Sequence, residues 1–581
     1  MDKLPQSSHP FKFKKNLITI FFIILLLTIF TTVGFSQARR TYPSFTKFAQ
    51  EFWSWRAVNQ PLSGDDITRI ERPENWTPDW SPETVLMRQK KAQAFENRWE
   101  STDTTGWSIS QQVDYFLLGS AIARVNWELN VLPAWRSNPL FYIHQTLGSL
   151  FDILIIPPPF DVQREKSLLL QLDRIPQTVE EAKINLDQPV RPYAELAMGI
   201  LRNVRTQLET MTQELEPHLS AAVYKRMPQL TEKAIMALES FGQFLKDNLQ
   251  SMRSETAVGR ENYLYFLRNI ALMPYSPEEL VRMARQEWER SVVFETLEKQ
   301  RNTGLRDLAI FRSAEEQVEK EATQEMEIRQ FLEERKLLTV PDWMKHYLNL
   351  LIPSYLAPIA YMGVTDDLTS ATRLDENAHS YIRQPSPTLS YFRLSTAKDP
   401  RPIIVHEGIP GHYFQMALSW AHQNHIRRYY YDSGANEGIG FYAEEMMLQA
   451  GLFDDSPRTR EIIYNFMRLR ALRVEVDVKL AIGEFSIPDA GEYLRETVPM
   501  DSATAYHEAA FFASTPGQAI SYQIGKLQIL KFLSDAKLQL GGEFNLQEFH
   551  DFVWKNGNVP IALQRWEYLG LTDEIKQLDS K

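Results

Sequence analysis

The sequence predicts a mainly α protein, and three observations carry that reading. Apolar residues recur three and four apart over long stretches, which gathers them on one face of an α-helix. Helix-start signatures stand at the heads of such stretches. β-prone pieces gather in one short segment, near residues 353–402. The 44% apolar content, with 13 Trp, 32 Phe and 23 Tyr among 581 residues, is ample for a large core.

Residues 1–38 stand apart. Lys12, Lys14 and Lys15 precede an uncharged run from Leu17 to Gly34, and Ser36-Gln37-Ala38 follows it. That is the order of a secretory signal: basic region, apolar region, small-x-small cleavage site. The run is also just long enough to span a bilayer, so cleaved signal and uncleaved inner-membrane anchor (17–34) both remain open. In either case lysines ahead of the apolar run place the body outside the cytoplasm, periplasmic or secreted. The rest, 39–581, is expected to form one helical body, with two lobes, 39–350 and 351–581, as an option.

From Tyr42 to about Phe160 the apolar spacing is helical, as in the run from Gln111 to Val125, with Asn138-Pro139 and Pro157-Pro158-Pro159 as punctuation. Residues 163–255 read as long helices with polar faces. Ser276-Pro277-Glu278-Glu279 is a helix start, an N-cap serine followed by proline and first-turn acids. Ser313 to about Lys336, dense in Glu and Arg, reads as a solvated helix. Tyr355-Leu356-Ala357 and Leu389 to Leu394 read as strand-like pieces that could wall a cleft. Helical texture returns from Ile403 to the end.

The formal charge of −11 and the lack of a basic aromatic patch argue against nucleic acid as a partner. With no cysteine, the chain has no disulfide, no lipidated N-terminal cysteine, no thiol nucleophile and no Cys-ligated metal. A metal would have to be held by His, Asp and Glu.

Four of the 11 histidines lie within 20 residues of each other, which draws attention to the stretch from Ile403 to Gln415, IIVHEGIPGHYFQ. His406 and His412 flank Glu407: two imidazoles suited to a metal and one carboxylate suited to activating a water. In the familiar H-E-x-x-H pattern the histidines are four apart and share a helix face. Here they are six apart, roughly 240° round a straight helix, and point away from each other. Pro410 and Gly411 lie between them and can break the helix. A regular helix through this stretch would rule out a shared metal. On this stretch alone, histidines that merely cap or pack fit as well. His422 and His425, in a polar context, read as surface residues.

Glu437, 25 residues beyond His412 in Asn436-Glu437-Gly438-Ile439-Gly440, is placed to supply a carboxylate third ligand from a second helix. Glu444, seven residues on, falls near the same face and is suited to orienting a histidine. Two solvated helix acids are the alternative. Further on, a Pro516-Gly517 break opens an apolar helix with Gln518 and Tyr522 four apart; a tyrosine hydroxyl there could serve an oxyanion or simply pack.

Taken together, HEGIPGHYFQ, EGIGFYAE and PGQAISYQIG, in this order and at these separations, resemble the bacterial family catalogued as domain of unknown function 885. Val113-Asp114-Tyr115 and Asn138 to Ile143 are similar to further segments of it, so the resemblance covers most of the chain beyond residue 38. Members look like helical zinc peptidases with a deep cleft, related in layout to angiotensin-converting enzyme and thimet oligopeptidase. The resemblance implies a Zn2+ cofactor with His406, His412 and Glu437 as ligands and Glu407 as base, acting on short peptides. The sequence departs from the family pattern in two places. Phe511-Phe512 stands where an Arg-Tyr pair is usual. Asp477-Val478-Lys479-Leu480-Ala481, in the helix that carries Arg473, lacks the usual glycine and histidine. Arg473 and Asp477 are therefore candidates for contact with substrate or its surroundings. Three functional expectations follow: an exported zinc metallopeptidase; a catalytically impaired exported protein of the same fold that binds peptide or metal; and a di-iron bundle. The last needs paired Glu-x-x-His motifs, of which only Glu376 to His379 is present.

Overall fold

The computed structural model describes residues 42–63, 70–498 and 500–579. The signal or anchor expected over residues 1–38 lies outside them. The described chain is mainly helical, with one three-stranded sheet. No helix among the described residues is long and apolar enough to cross a membrane.

The helix starts read from sequence are built as their chemistry dictates. Ser276 caps Pro277–Arg301 with a complete capping box, its hydroxyl accepting from Glu279 N–H while the Glu279 carboxylate accepts from Ser276 N–H. Ser313 caps Ala314–Glu334 through its hydroxyl alone, which accepts from Glu316 N–H, while the Glu316 carboxylate accepts from Arg312 N–H. This second helix is not solvated all round, as its composition suggested: Gln317, Glu321, Gln324 and Glu325 lie on its buried face. Glu325 is held there by Arg329 at 2.8 Å and by Nδ1 of His346 at 3.0 Å. Buried charge is tolerated where it is paired, so a charge-rich helix is not necessarily an outer one.

The sheet has the order β1-β3-β2, with β1 Tyr347–Leu351, β2 Asp366–Asp367 and β3 Ala378–Ile382. β3 runs parallel to β1 and antiparallel to β2, with Tyr347 opposite Ala378 and Asp366 opposite Ser380. The expected strand-and-loop segment is therefore present but begins earlier, and its two marked pieces are not strands. Residues 355–357 lead into a 3-10 turn, Ala357–Met362, and Tyr391–Thr396 is a short helix. Tyr391 and Phe392 favour strands intrinsically, but both rings pack against Phe466 at centroid distances of 5.8 and 5.6 Å. Tertiary packing overrides a weak local preference.

Two large cores divide the molecule. One is built mainly from helices between residues 82 and 248, with Leu117, Leu150, Leu172 and Leu238 fully buried. The other gathers the 404–450 region with Ile529, Phe532, Phe549 and Trp554. In the second core the helices Ser433–Ala450 and Ile520–Leu540 pack closely, glycine on glycine: a Cβ on Gly438 would fall 2.7 Å from the Gly525 Cα. That contact sets the Glu437 and Tyr522 helices side by side.

Candidate metal centre

The stretch between the two histidines is not a regular helix. Ile404–Gly408 forms a wide π-helical turn, the chain passes through a cis Ile409-Pro410 bond, and a new helix begins at His412. The turn folds back tightly enough that a Cβ on residue 411 would fall 1.8 Å from the His406 carbonyl oxygen, so only glycine fits. The Pro410 carbonyl accepts a hydrogen bond from Trp554 Nε1 at 2.7 Å, in the interior. The break turns His412 toward His406, and their ring centroids lie 4.7 Å apart.

Glu437 meets both. Its Oε2 lies 3.4 Å from His406 Nε2 and 3.2 Å from His412 Nε2, and makes no hydrogen bond. One ligand atom from each of the three falls within 4.8 Å of the others, and all three side chains are buried. Gly440, one turn beyond Glu437, leaves room for the imidazoles: a Cβ there would lie 3.0 Å from His412 Cε1 and 3.1 Å from His406 Cε1. The other face of His406 is held as well. Its Nδ1 is 2.7 Å from Glu444 Oε1, and Arg470 pairs with that oxygen at 2.9 Å. This leaves Nε2 of His406 turned to Glu437, the arrangement that fixes a ligating imidazole.

The electrostatics follow from this crowding. Burial pushes the Glu437 carboxyl up, but the imidazoles of His412 and His406 outweigh it and hold the acid well below the usual carboxylate range. Burial and Arg470 favour neutral His406, yet Glu437 and Glu444 prevail and its pKa is pushed up to about 9. Protons and a cation would compete for the same imidazole and carboxylate atoms here.

The remaining candidates lie around this group. Glu407 is partly exposed, with a side chain 24% accessible, and its Oε2 is 3.9 Å from His412 Nε2. The Tyr522 ring, half-buried, stacks on His406 at 6.2 Å, with the Arg473 guanidinium 4.8 Å from its centroid. Arg473 itself is committed to Glu508, its Nε 3.1 Å from Oε2 and its Nη2 on Oε1. Asp477 is fully buried and does not reach the cluster. It accepts from Gly517 N–H at 2.9 Å, Ala519 N–H at 2.7 Å and the Tyr263 hydroxyl at 2.9 Å. Burial pushes its pKa up to about 6. Asp477 therefore fastens the turn from which Gln518 and the Tyr522 helix emerge. Gln518 is buried in that turn. His422 and His425 stay apart; His422 Nδ1 accepts from Asn424 N–H at 2.9 Å. Glu376 pairs with Arg373 at 2.8 Å and His379 sits on β3, so no di-iron pairing forms among the described residues. Arg470 and Trp554 were missed in the sequence. Arg470 could have been found from its place between Arg468 and Arg473 on the helix Pro457–Ile482, whereas nothing local marks Trp554.

No curated protein matches this chain. Two solved structures share its fold. A lipoprotein candidate of unknown function from Shewanella oneidensis superposes with a TM-score of 0.67 at 16% identity, over 90% of this chain and 98% of that one. A lipoprotein candidate from Colwellia psychrerythraea gives a TM-score of 0.69 at 16% identity, over 94% and 100%. The family model described as "Bacterial protein of unknown function (DUF885)" matches residues 65–344 and 370–566, most of the chain, and the protein belongs to that family.

Proposed function

We propose that the protein is an exported zinc metallopeptidase acting on short peptides. The observation that carries this reading is the convergence of His406 Nε2, His412 Nε2 and a Glu437 oxygen that has no hydrogen bond of its own. The donor set fits the ion: two imidazoles and a carboxylate are the ligands of a catalytic zinc with an open position. A zinc ion there would supply Lewis acidity toward a carbonyl and a water.

The protein's own groups would do the rest. Glu407, beside His412 and open to solvent, takes a proton from the attacking water and returns it to the leaving amine. The Tyr522 hydroxyl donates to the carbonyl oxygen as charge gathers on it. Glu444 and Arg470 keep His406 in the tautomer that presents Nε2. The basic-then-apolar N-terminus and the lipoprotein candidates among the fold neighbours support an envelope or extracellular location. Without a cysteine, this chain cannot carry the cysteine-linked lipid of a lipoprotein.

The test is metal analysis joined to hydrolysis of a peptide library. About one zinc per chain and cleavage that disappears in Glu407→Gln, with the zinc retained, are expected. Equal cleavage by Glu407→Gln and wild type would sink the mechanism. A second reading, a peptide-binding protein without turnover, is favoured by one observation: Arg473 is locked to Glu508 and so withheld from substrate. Zinc and peptide binding without cleavage by the wild type would decide for it.

A further inference from the structure

The two histidines of the cluster are not held alike. His406 Nδ1 has a carboxylate beside it, Glu444 at 2.7 Å. His412 has no such partner: its pairings with Glu407 and Glu437 are both made through Nε2, at 3.9 and 3.2 Å. Its Nδ1 is buried and makes no hydrogen bond among the described residues. A histidine that gives Nε2 to a metal carries its proton on Nδ1, and an acceptor for that proton fixes tautomer and ring.

An amide pair lies beside this ring. Asn436 Nδ2 donates to Gln415 Oε1 at 2.8 Å, and both side chains are fully buried. Gln415 is three residues beyond His412 on the helix His412–Ala421, so the two share a side of it. Asn436 immediately precedes Glu437 and lies one turn before Gly440, the residue over which His412 Cε1 sits. The amide pairing leaves Asn436 Oδ1 without a donor and Gln415 Nε2 without an acceptor, and both atoms are buried. Turning both amides over exchanges their parts and nothing else: one carbonyl oxygen and one amide N–H group still lack partners. Three polar atoms on three residues of two packed helices are thus left unsatisfied in the core, where such groups are ordinarily paired. One water meets them all. It accepts from His412 Nδ1–H and from Gln415 Nε2, and donates to Asn436 Oδ1, about the three hydrogen bonds that a buried water usually makes.

We propose that Asn436 and Gln415 are positioning residues for His412: through one enclosed water the Asn436 carbonyl holds the Nδ1 proton, which keeps Nε2 free for the metal. Gln415 fixes which end of the Asn436 amide is presented. The inference rests on the metal-centre reading and not on peptide hydrolysis.

The experiment uses the full chain and compares Asn436→Leu, which removes the acceptor, with Asn436→Asp, which keeps an acceptor oxygen. Zinc affinity is measured by competition with a chromophoric chelator, and the fold of each metal-free variant by circular dichroism. Asn436→Leu should weaken zinc by about 10–100-fold, while Asn436→Asp stays near wild type. With ring-15N-labelled histidine, the zinc-loaded wild type and Asn436→Asp should show a slowly exchanging Nδ1 proton on His412, assigned with single-histidine variants. In Asn436→Leu that proton should exchange rapidly, a change that loss of packing alone does not predict. If Asn436→Leu does not fold, Gln415→Met replaces it, since it removes a donor to the same water and frees the Asn436 amide to turn; it should lower zinc affinity in the same assay. Wild-type zinc affinity in a folded Asn436→Leu or Gln415→Met overturns the proposal, as do equal losses in Asn436→Leu and Asn436→Asp or an equally protected Nδ1 proton in all three proteins. Absence of zinc binding by the wild type overturns the metal reading itself and this inference with it. Zinc binding without peptide cleavage leaves the comparison intact and overturns only the peptidase reading.

Discussion

Glu444 shows how much of the centre depends on side chains that never touch the metal position. Its Oε1 lies between His406 Nδ1 at 2.7 Å and Arg470 at 2.9 Å, all three buried. Removing its charge leaves Arg470 without its partner in the interior and frees the His406 ring to change tautomer. Glu444→Gln is expected to weaken zinc binding by about 10–100-fold, measured by competition with a chromophoric chelator, while Glu437→Ala should abolish stoichiometric binding in the same assay. An unchanged affinity in Glu444→Gln would mean that His406 is oriented by packing alone. The sequence made Glu444 legible because seven residues is two helical turns from Glu437, so the pair shares a face. Arg470 was less legible, since the arginine-rich stretch around it contains Arg468, which pairs with Glu295, and Arg473, which pairs with Glu508. Side-chain type and spacing could not tell these three partnerships apart.

At the scale of elements, the centre is a break between helices braced by a third. Trp554, on Leu546–Lys555, donates to the Pro410 carbonyl across 144 residues of chain. Trp554→Phe keeps most of the apolar volume and leaves that carbonyl buried without a donor, an expected loss of about 1–3 kcal/mol. Chemical denaturation of the zinc-loaded protein measures it, and a parallel fall in zinc affinity would show that the brace serves the histidine geometry. Gly438→Ala forces a methyl to within 2.7 Å of the Gly525 backbone, which has no flexible end to yield. An overpacking cost of about 1–3 kcal/mol is expected, with Tyr522 moved relative to His406. These contacts explain what could be read in advance. Caps such as Ser276 and Ser313 act within four residues, and the Pro410-Gly411 break is local, so both were visible in the sequence. The brace from Trp554, the glycine contact between helices and the helical state of Tyr391–Thr396 are decided by partners far along the chain. No short-range pattern encodes them.

Across the whole molecule, the second core makes stability depend on pH in a way that can be isolated at one residue. His550 is fully buried between the Leu337 carbonyl, 2.7 Å from Nδ1, and the Tyr442 hydroxyl, 2.8 Å from Nε2. The neutral ring satisfies both, donating from Nδ1 and accepting at Nε2, and a second ring proton would face a hydroxyl hydrogen in an apolar surround. Burial accordingly lowers its pKa to about 4. The unfolded chain takes up this proton near pH 6.5 and the folded one only near 4, so the unfolded state binds more protons in that window. Stability from His550 is complete above about pH 6.5 and drains away as pH falls toward 4. Asp432 and Asp477 act in the opposite sense. Burial raises each to about 6, so the folded state takes up their protons first, and acid relieves their cost. The bare pH profile of the wild type therefore mixes both signs, and comparison with a variant at residue 550 is needed to separate them. In His550→Gln, which cannot titrate, the two aspartates remain and cancel from the difference. Between pH 7 and 5 the wild type should lose about 2 kcal/mol relative to His550→Gln, at roughly 1.4 kcal/mol per unit below pH 6.5, read from urea midpoints at each pH. Parallel profiles for the two proteins would show that the His550 pocket admits the proton, through water or by opening, and that this part of the core is looser than its packing around Trp554 implies.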